Sequence, residues 1–179
     1  MKFLGAMIMV TAIWADDASR ALTVCMNSGI NVPVILKAQN TARQILKEAG
    51  IKIEWRNSMS KCACAESSIA IELSTQTPEA WHPGAFAFAQ PYKNTRVVLF
   101  YDRVVNTPQP ELRCGLLGHV LAHEITHVLQ GVVRHSTRGL MKPKWNYLDY
   151  GEMLGTHLQF TDEDIELIQN RKTSIRSTN

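Results

Sequence analysis

The feature that most constrains this chain is the pentapeptide His123-Glu-Ile-Thr-His127. If the stretch is helical, its two histidines lie one turn apart on the same face, because side chains four residues apart are neighbours on an α-helix. Two imidazole nitrogens can then bind one zinc ion at about 2.0–2.1 Å. Glu124 lies about 100° around the helix from His123. It can therefore act as a general base on a zinc-activated water without being a ligand.

The residues around the pentapeptide favour a buried helix. Leu117, Leu121 and Val128 form an apolar stripe at helical spacing, and Gly131 can end the helix. We predict a helix from about Glu111 to Gln130. A catalytic zinc site needs a third protein ligand, and the ligand we favour is His135, which follows the glycine.

These residues resemble the metzincin zinc endopeptidases, nearest the matrixin branch, over roughly residues 117–143. The matching pattern is His123-Glu-x-x-His127, then Gly131, His135-Ser136 and Gly139-Leu-Met141-x-Pro143. The resemblance implies that His135 completes the zinc site and that Met141 lies on a tight turn beneath the metal. The linker from His127 to His135 is two residues longer than the family pattern, a difference that a surface turn can absorb.

A weaker resemblance to matrixins lies upstream, in the segment Gly84–Pro91. In that family the segment follows the upper rim of the cleft, and a histidine within it helps to hold a structural zinc. This chain has Phe86 and Phe88 there. The resemblance therefore implies no structural zinc, and we expect the nearby His82 to be an ordinary solvated loop residue.

The fold implied by the resemblance is α+β: a zincin-like (metzincin) catalytic domain. It would have a mixed twisted sheet, a backing helix, an active-site helix and a small irregular C-terminal subdomain ending in a helix. The subdomains would cover about residues 16–131 and 132–179. The implied function is a secreted zinc-dependent endopeptidase with one catalytic Zn²⁺, Glu124 as general base and a peptide or protein substrate. The alternatives are a catalytically inactive zinc-binding module and a structural exported domain with a chance motif.

Three other residues compete with His135 as the third ligand: Asp149, Glu152 and His157. Glu152 is the serious rival, because in another large group of zinc peptidases the third ligand is a glutamate on a later helix. We disfavour it because Lys144–Gly155 shows no helical pattern. His119 would lie about 12 Å along the helix from His127, so we expect it to line the cleft, support the site or serve the fold. Tyr147 and Tyr150 are candidate donors to the oxyanion.

The N-terminal segment Met1–Ala15 has the pattern of a signal peptide, with one lysine followed by an apolar run. We expect cleavage after Ala15, with Ala18 and an uncleaved anchor as alternatives, and no membrane segment elsewhere. The remaining residues 16–179 are long enough and apolar enough for one domain. Loss of Lys2 lowers the formal net charge from +3 to +2, too small to indicate a nucleic-acid partner. We expect an exported monomer.

Four cysteines, Cys25, Cys62, Cys64 and Cys114, favour disulfides in an exported chain. Cys62 and Cys64 are too close to bridge each other easily, so we expect each to pair with Cys25 or Cys114. A Cys-x-Cys metal site is the alternative. Cys114 is not a candidate for the thiol that blocks zinc in matrixin zymogens, because it precedes His123 on the same predicted helix.

The remaining pattern predicts an α+β arrangement in chain order. Strands are expected at 21–26, 51–55, 68–73, 84–91 and 95–101, and a helix at 34–49 stands between the first two. This strand–helix–strand unit favours a parallel pair. The residues between His135 and Gly155 are expected to be irregular. A final helix is expected from the capping sequence Thr161-Asp-Glu-Asp164 to about Arg171, followed by a frayed tail.

Overall fold

Five strands form one mixed sheet in the computed structural model, which describes residues 21–27, 29, 32–59, 68–90 and 95–177. The predicted signal peptide and the loop with Cys62 and Cys64 lie outside these residues. All five predicted strands are confirmed, four with small shifts of their ends, whereas the strand predicted over 84–91 is only three residues long. They are β1 (Leu22–Met26), β2 (Ile53–Arg56), β3 (Ser68–Ser74), β4 (Ala87–Ala89) and β5 (Arg96–Phe100).

The strand order is β2-β1-β3-β5-β4, and only β4 runs against its neighbour. The predicted parallel pairing of the first two strands is confirmed, because Val24 of β1 lies beside Trp55 of β2 in a parallel register. Among the described residues β4 pairs with β5 alone, with Ala87 opposite Leu99. It therefore presents a free edge, which is the edge nearest the helix that carries His123 and His127.

Two long helices pack against the sheet and against each other. α1 (Val32–Glu48) buries an apolar face that includes Ile35, Ile45 and Leu46. α3 (Arg113–Gln130) follows a single 3₁₀ turn at Pro110–Leu112 and is buried almost continuously from Leu116 to Val128. Both predicted helices are confirmed. They approach closely where a Cβ on Gly118 would lie 2.5 Å from the Thr41 Cβ, so this position requires glycine.

The prediction that Lys144–Gly155 is not helical is wrong, because α4 spans Tyr147–Gly155. The Asn146 side chain accepts hydrogen bonds from the amides of Leu148 and Asp149, and the Asp149 carboxylate accepts one from the Asn146 amide, which completes a capping box. This helix buries only Met153. One buried side chain leaves no apolar periodicity to detect, which is why the sequence pattern did not reveal it.

Two further elements differ from the sequence prediction. A short helix, α2 (Tyr101–Val105), begins directly where β5 ends, so Tyr101 is helical and not the last residue of a strand. The last helix, α5, spans Asp162–Ser177 and is longer than predicted. The expectation of a frayed tail is wrong for residues 172–177, which contain no glycine or proline to end the helix. Among the described residues, no helix combines the length and apolar character that a membrane span requires.

The cysteine predictions have a mixed outcome. Cys25 is disulfide-bonded, whereas Cys114 on α3 is a free thiol. The expected bridge from Cys114 is therefore wrong. The pairing of Cys62 and Cys64 stays a prediction, because both lie outside the described residues.

Candidate metal centre and substrate cleft

α3 directs His123 and His127 to one point. Their Nε2 atoms lie 3.0 Å apart, close to the roughly 3.3 Å expected for two nitrogens of a tetrahedral zinc site. The Nδ1 atom of His123 lies 2.9 Å from the carbonyl oxygen of Leu140, and that of His127 lies 3.2 Å from the carbonyl oxygen of Val132. A carbonyl can only accept, so Nδ1 carries the proton on both rings and Nε2 keeps its lone pair.

The chain turns at Gly131 and brings His135 to the same point. Gly131 ends α3 with a left-handed φ of 66°, and its amide donates to the carbonyl of His127. The His135 ring lies 5.4 Å from that of His123 and 4.9 Å from that of His127, centroid to centroid. One ligand atom from each of the three histidines lies within 4.8 Å of the other two. The longer linker is thus compatible with convergence of all three.

The rival ligands lie elsewhere. Glu152 is exposed on α4, and Asp149 caps that helix and pairs with Lys142. His157 lies near His119, 6.4 Å between ring centroids. Within the described part of the chain, the histidines at 123, 127 and 135 are the only group of this kind that could hold a metal ion.

Burial keeps the imidazoles in the neutral form that a metal requires. It lowers the pKa of His123 to about 3 and that of His127 to about 4, and it also lowers the pKa of the more exposed His135. Neutral imidazole nitrogens are ligands that Zn²⁺ accepts in catalytic sites with three protein ligands and one open position. The three residues therefore fit one Zn²⁺.

Glu124 lies beside the three histidines and faces the cleft. Only 9% of its surface is exposed, and burial raises the pKa of its carboxyl to about 8, although a hydrogen bond from the Ala89 backbone opposes the rise. That backbone group belongs to β4. The carboxyl is therefore held between α3 and the edge strand β4.

Met141 lies on a buried turn that connects to the cluster through the neighbouring Leu140. Its side chain is fully buried, Gly139 adopts a left-handed φ of 72°, and the Met141 carbonyl accepts from the Ser136 amide at 2.8 Å. The preceding carbonyl, that of Leu140, is the one that accepts from His123. The turn thus fixes the ring orientation of one of the three histidines.

His119 serves the fold, and it does not line the cleft. It is fully buried. Its Nδ1 donates to the Gly115 carbonyl at 2.7 Å, and its Nε2 accepts from the Leu158 amide at 3.1 Å. Burial lowers the pKa of this ring to about 4, so it is neutral while it makes both bonds.

The expectation of a solvated His82 is wrong. The residue is half-buried, and its ring stacks on Phe88 with 4.2 Å between centroids. Trp81 and Phe100 complete this aromatic group, with centroids 5.4 Å apart. The packing follows from the chain's return to β4, which a local pattern cannot show.

The three histidines and Glu124 open into a cleft of about 480 Å³. β4 forms one wall, and Pro143, Trp145 and Tyr150 contribute to the other. Of the two tyrosines considered as oxyanion donors, Tyr150 lines this cleft, and Tyr147 is 80% exposed on the outer side of α4.

Sequence reasoning missed one buried group next to the site, Asp164. Its carboxylate is fully buried and accepts from Ser136 Oγ at 2.6 Å and Arg134 Nη1 at 3.0 Å. These two residues flank His135. The capping sequence at Thr161–Asp164 can be recognised in the sequence, but the contact of Asp164 with Arg134 and Ser136 depends on where α5 packs.

No family model matches this sequence, and no curated protein gives a significant match. Solved structures do match in fold. The chain is similar to an archaemetzincin from Methanopyrus kandleri, with a TM-score of 0.56 and 15% identity over 87% of this chain and 98% of that one. It is also similar to a zinc-dependent peptidase from Methanocorpusculum labreanum, with a TM-score of 0.59 and 11% identity over 83% of this chain and 100% of that one.

These similarities confirm the predicted zincin-like fold class. The matrixin branch has no support from them, since one neighbour is described as an archaemetzincin and the other as a zinc-dependent peptidase.

Proposed function

We propose that this protein is a zinc-dependent endopeptidase that uses His123, His127 and His135 as ligands and Glu124 as general base. The observation that carries the proposal is the convergence of three neutral imidazoles beside a buried carboxyl, in a cleft bordered by a free strand edge. The fold shared with two solved zinc peptidases or metzincins agrees with it. We propose for this protein the general metzincin arrangement and not the matrixin branch.

A peptide substrate would bind along β4. The Phe86 carbonyl accepts from the Phe100 amide, and the Gln90 amide donates to the Arg96 carbonyl. Residues at these alternate positions therefore direct their main-chain groups toward β5. The main-chain groups of Ala87 and Ala89 therefore point away from β5, toward the cleft. An extended peptide can add to this edge as a further strand. The Glu124 contact with Ala89 then lies next to the bound peptide bond.

The chemistry divides between the metal and Glu124. When bound, Zn²⁺ supplies polarisation of the scissile carbonyl and acidification of the attacking water. The positive charge of a bound Zn²⁺ would favour the ionised form of Glu124 and oppose the effect of burial on its pKa. As a carboxylate, Glu124 takes the proton from that water and passes it to the nitrogen of the leaving amine. The cleavage breaks one C–N bond and consumes one water. Met141 supports the site through its turn, as the resemblance implies.

The test measures metal content and peptide cleavage on the same samples. We expect about one zinc per chain and cleavage of a mixed peptide library that a chelator abolishes. Glu124→Gln should keep the zinc and lose roughly 10²–10⁴-fold in activity, whereas Glu152→Gln, on an exposed face, should change neither. Zinc without cleavage would favour the inactive zinc-binding module. A natively purified protein without metal would overturn the proposal.

We also propose that the protein is exported and acts on peptides outside the cytoplasm. The support is the basic and apolar pattern of Met1–Ala15. N-terminal sequencing of the protein recovered outside the expressing cells should begin at residue 16 or 19. Recovery of an intact N-terminus in the membrane fraction would instead support the uncleaved anchor.

A further inference from the structure

The segment Thr77–Phe86, called here the rim loop, connects β3 to β4 and forms part of the cleft wall. His82, Gly84, Ala85 and Phe86 of this loop all line the cleft. The loop has little regular structure of its own. Its turns include amide bonds from Trp81 to the Pro78 carbonyl and from Ala85 to the His82 carbonyl. Contacts from residues outside the loop must therefore hold it against the sheet.

The Arg103 guanidinium, on the short helix α2, is what holds it. Nη1 donates to the carbonyls of His82 at 2.6 Å and Ala85 at 2.8 Å, and Nη2 donates to those of Trp81 at 2.6 Å and Pro78 at 3.2 Å. Four carbonyl oxygens of one loop thus converge on one cation. Two of them are the acceptors of the loop's own turns, so the guanidinium fixes the turns themselves.

Neighbouring contacts fix both Arg103 and the start of the loop. The guanidinium carbon lies 4.6 Å from the centre of the Phe100 ring, in a cation–π contact. The adjacent Asp102 carboxylate accepts from the Thr77 amide at 2.8 Å and from the Thr77 hydroxyl at 2.8 Å. Two successive residues of α2 therefore anchor the rim loop, one through a carboxylate and one through a guanidinium.

The loop also contains a strained residue. His82 has a φ of 47° and is the only described residue other than glycine with a positive φ. Such a conformation costs free energy and persists only where its surroundings hold it. Here the carbonyl bond to Arg103 and the ring stack on Phe88 hold it, and the result is an imidazole fixed at the edge of the cleft.

We propose that Arg103 is a positioning residue that fixes the rim loop as a rigid wall of the substrate cleft, through its hydrogen bonds to four of the loop's carbonyl oxygens. The inference rests on the proposed function. Arg103 acts on how peptide residues bind along the β4 side of the cleft. It contributes nothing to the proton transfers of Glu124, because it contacts the loop and none of the three histidines.

The test combines amide hydrogen exchange, zinc content and peptide kinetics in Arg103→Met and Arg103→Lys. The matched control is Arg96→Met, which removes an exposed guanidinium on β5 that pairs with Glu72 and makes no contact with the described residues of the rim loop. We expect the amides of Trp81 and Ala85 to exchange at least about tenfold faster in both Arg103 variants, because charge-assisted hydrogen bonds are lost. Lysine should not restore protection from exchange, since a single ammonium group lacks the planar, two-pronged geometry with which a guanidinium reaches four carbonyls.

In the kinetics, KM should rise by roughly tenfold while kcat stays within about threefold, the pattern of a loss of binding rather than of chemistry. Zinc per chain should not change in either variant, and Arg96→Met should match the wild type in all three measurements. Arg103→Lys keeps the test available if Arg103→Met does not fold.

Unchanged exchange at Trp81 and Ala85 in the Arg103 variants would overturn the inference. A fall in kcat at constant KM would also overturn it, because it would place Arg103 in the chemistry. If the wild type cleaves no peptide, the proposed function fails, and the exchange measurement still decides whether Arg103 fixes the loop.

Discussion

Asp164→Asn should destabilise the protein far more than its small chemical change indicates. Each carboxylate oxygen accepts two hydrogen bonds: Oδ1 from Ser136 Oγ and Arg134 Nη1, and Oδ2 from the amide and the hydroxyl of Thr161. An amide has one acceptor oxygen and one NH₂ group. In one orientation the NH₂ faces the Thr161 amide, and in the other it faces the Arg134 guanidinium. Neither donor can rotate into an acceptor.

The magnitude follows from burial. The Asp164 side chain is fully buried, and Arg134 is 29% exposed, so a lost partner is not fully replaced by water. Breaking a buried charged pair from one side costs about 3–5 kcal/mol. We therefore expect chemical denaturation of metal-free protein to show a loss of this size. Glu163→Gln is the matched control, because Glu163 pairs with the same arginine but is 64% exposed. Its loss should be below about 1 kcal/mol.

The difference between wild type and Asp164→Asn should also depend on pH. Burial alone would raise the pKa of Asp164, but the hydrogen bonds from Ser136, Thr161 and Arg134 outweigh it and lower the pKa below its ordinary 3.8. A lowered folded-state pKa gives stability that is present above the unfolded-state pKa and lost as the pH falls through the folded-state pKa. The difference should therefore be full at neutral pH and shrink below 3.8.

A second readout connects Asp164 to the metal. Ser136 and Arg134 flank His135, so Asp164→Asn should also weaken zinc binding, by roughly the 10–100-fold typical of a lost supporting partner. Glu163→Gln should leave zinc affinity near that of the wild type. If Asp164→Asn unfolds within about 1 kcal/mol of the wild type, the buried hydrogen bonds do not carry the weight assigned to them and the reasoning is refuted.

Three further predictions use matched pairs or a pH series. His135→Ala should weaken zinc binding by more than roughly 100-fold, the upper range for a residue that only supports a ligand, as measured by competition with a chelator. Glu152→Ala should not change zinc affinity, and the reverse result would make Glu152 the ligand. Gly139→Ala should cost roughly 2–4 kcal/mol in denaturation, because φ is 72° and the new Cβ would lie 2.2 Å from a backbone oxygen. Gly151→Ala, with open space around it, should be neutral or stabilise by about 0.5–1 kcal/mol; equal losses in both would contradict the clash. Burial lowers the pKa of His119 from 6.5 to about 4. The stability that this neutral ring contributes is therefore full above pH 6.5 and is lost as the pH falls from 6.5 to about 4. The stability difference between wild type and His119→Gln should shrink by about 1.4 kcal/mol per pH unit there, and a pH-independent difference would show that His119 is not held neutral.

The fold was largely predictable because most of its elements carry strong periodic patterns. α1 and α3 follow apolar residues at helical spacing, and the strands alternate or run continuously apolar. α4 was not predictable, because a helix that buries only Met153 and contains Gly151 leaves no pattern to detect. α2 was missed for a related reason, since Tyr101 continues the apolar run of β5 without any stop signal.

The metal centre divides in the same way. The sequence by itself determined the placing of His123 and His127 together, because four residues on a helix fix two side chains on one face whatever the helix packs against. It also determined the turn after α3, because only glycine takes a left-handed φ at little cost. These are local constraints of a few residues each.

The tertiary structure alone decided the rest. Three features depend on contacts between residues far apart in the chain. They are the approach of His135 to the other two histidines, the hydrogen bonds of Asp164 to the residues beside His135, and the bonds of Arg103 to the rim loop. Such contacts are selected by packing of the whole domain, which no spacing in the sequence encodes. Local geometry therefore fixed two of the three histidines and the neighbouring glutamate, and long-range packing of α5, α2 and the edge strand decided the third histidine and the cleft around it.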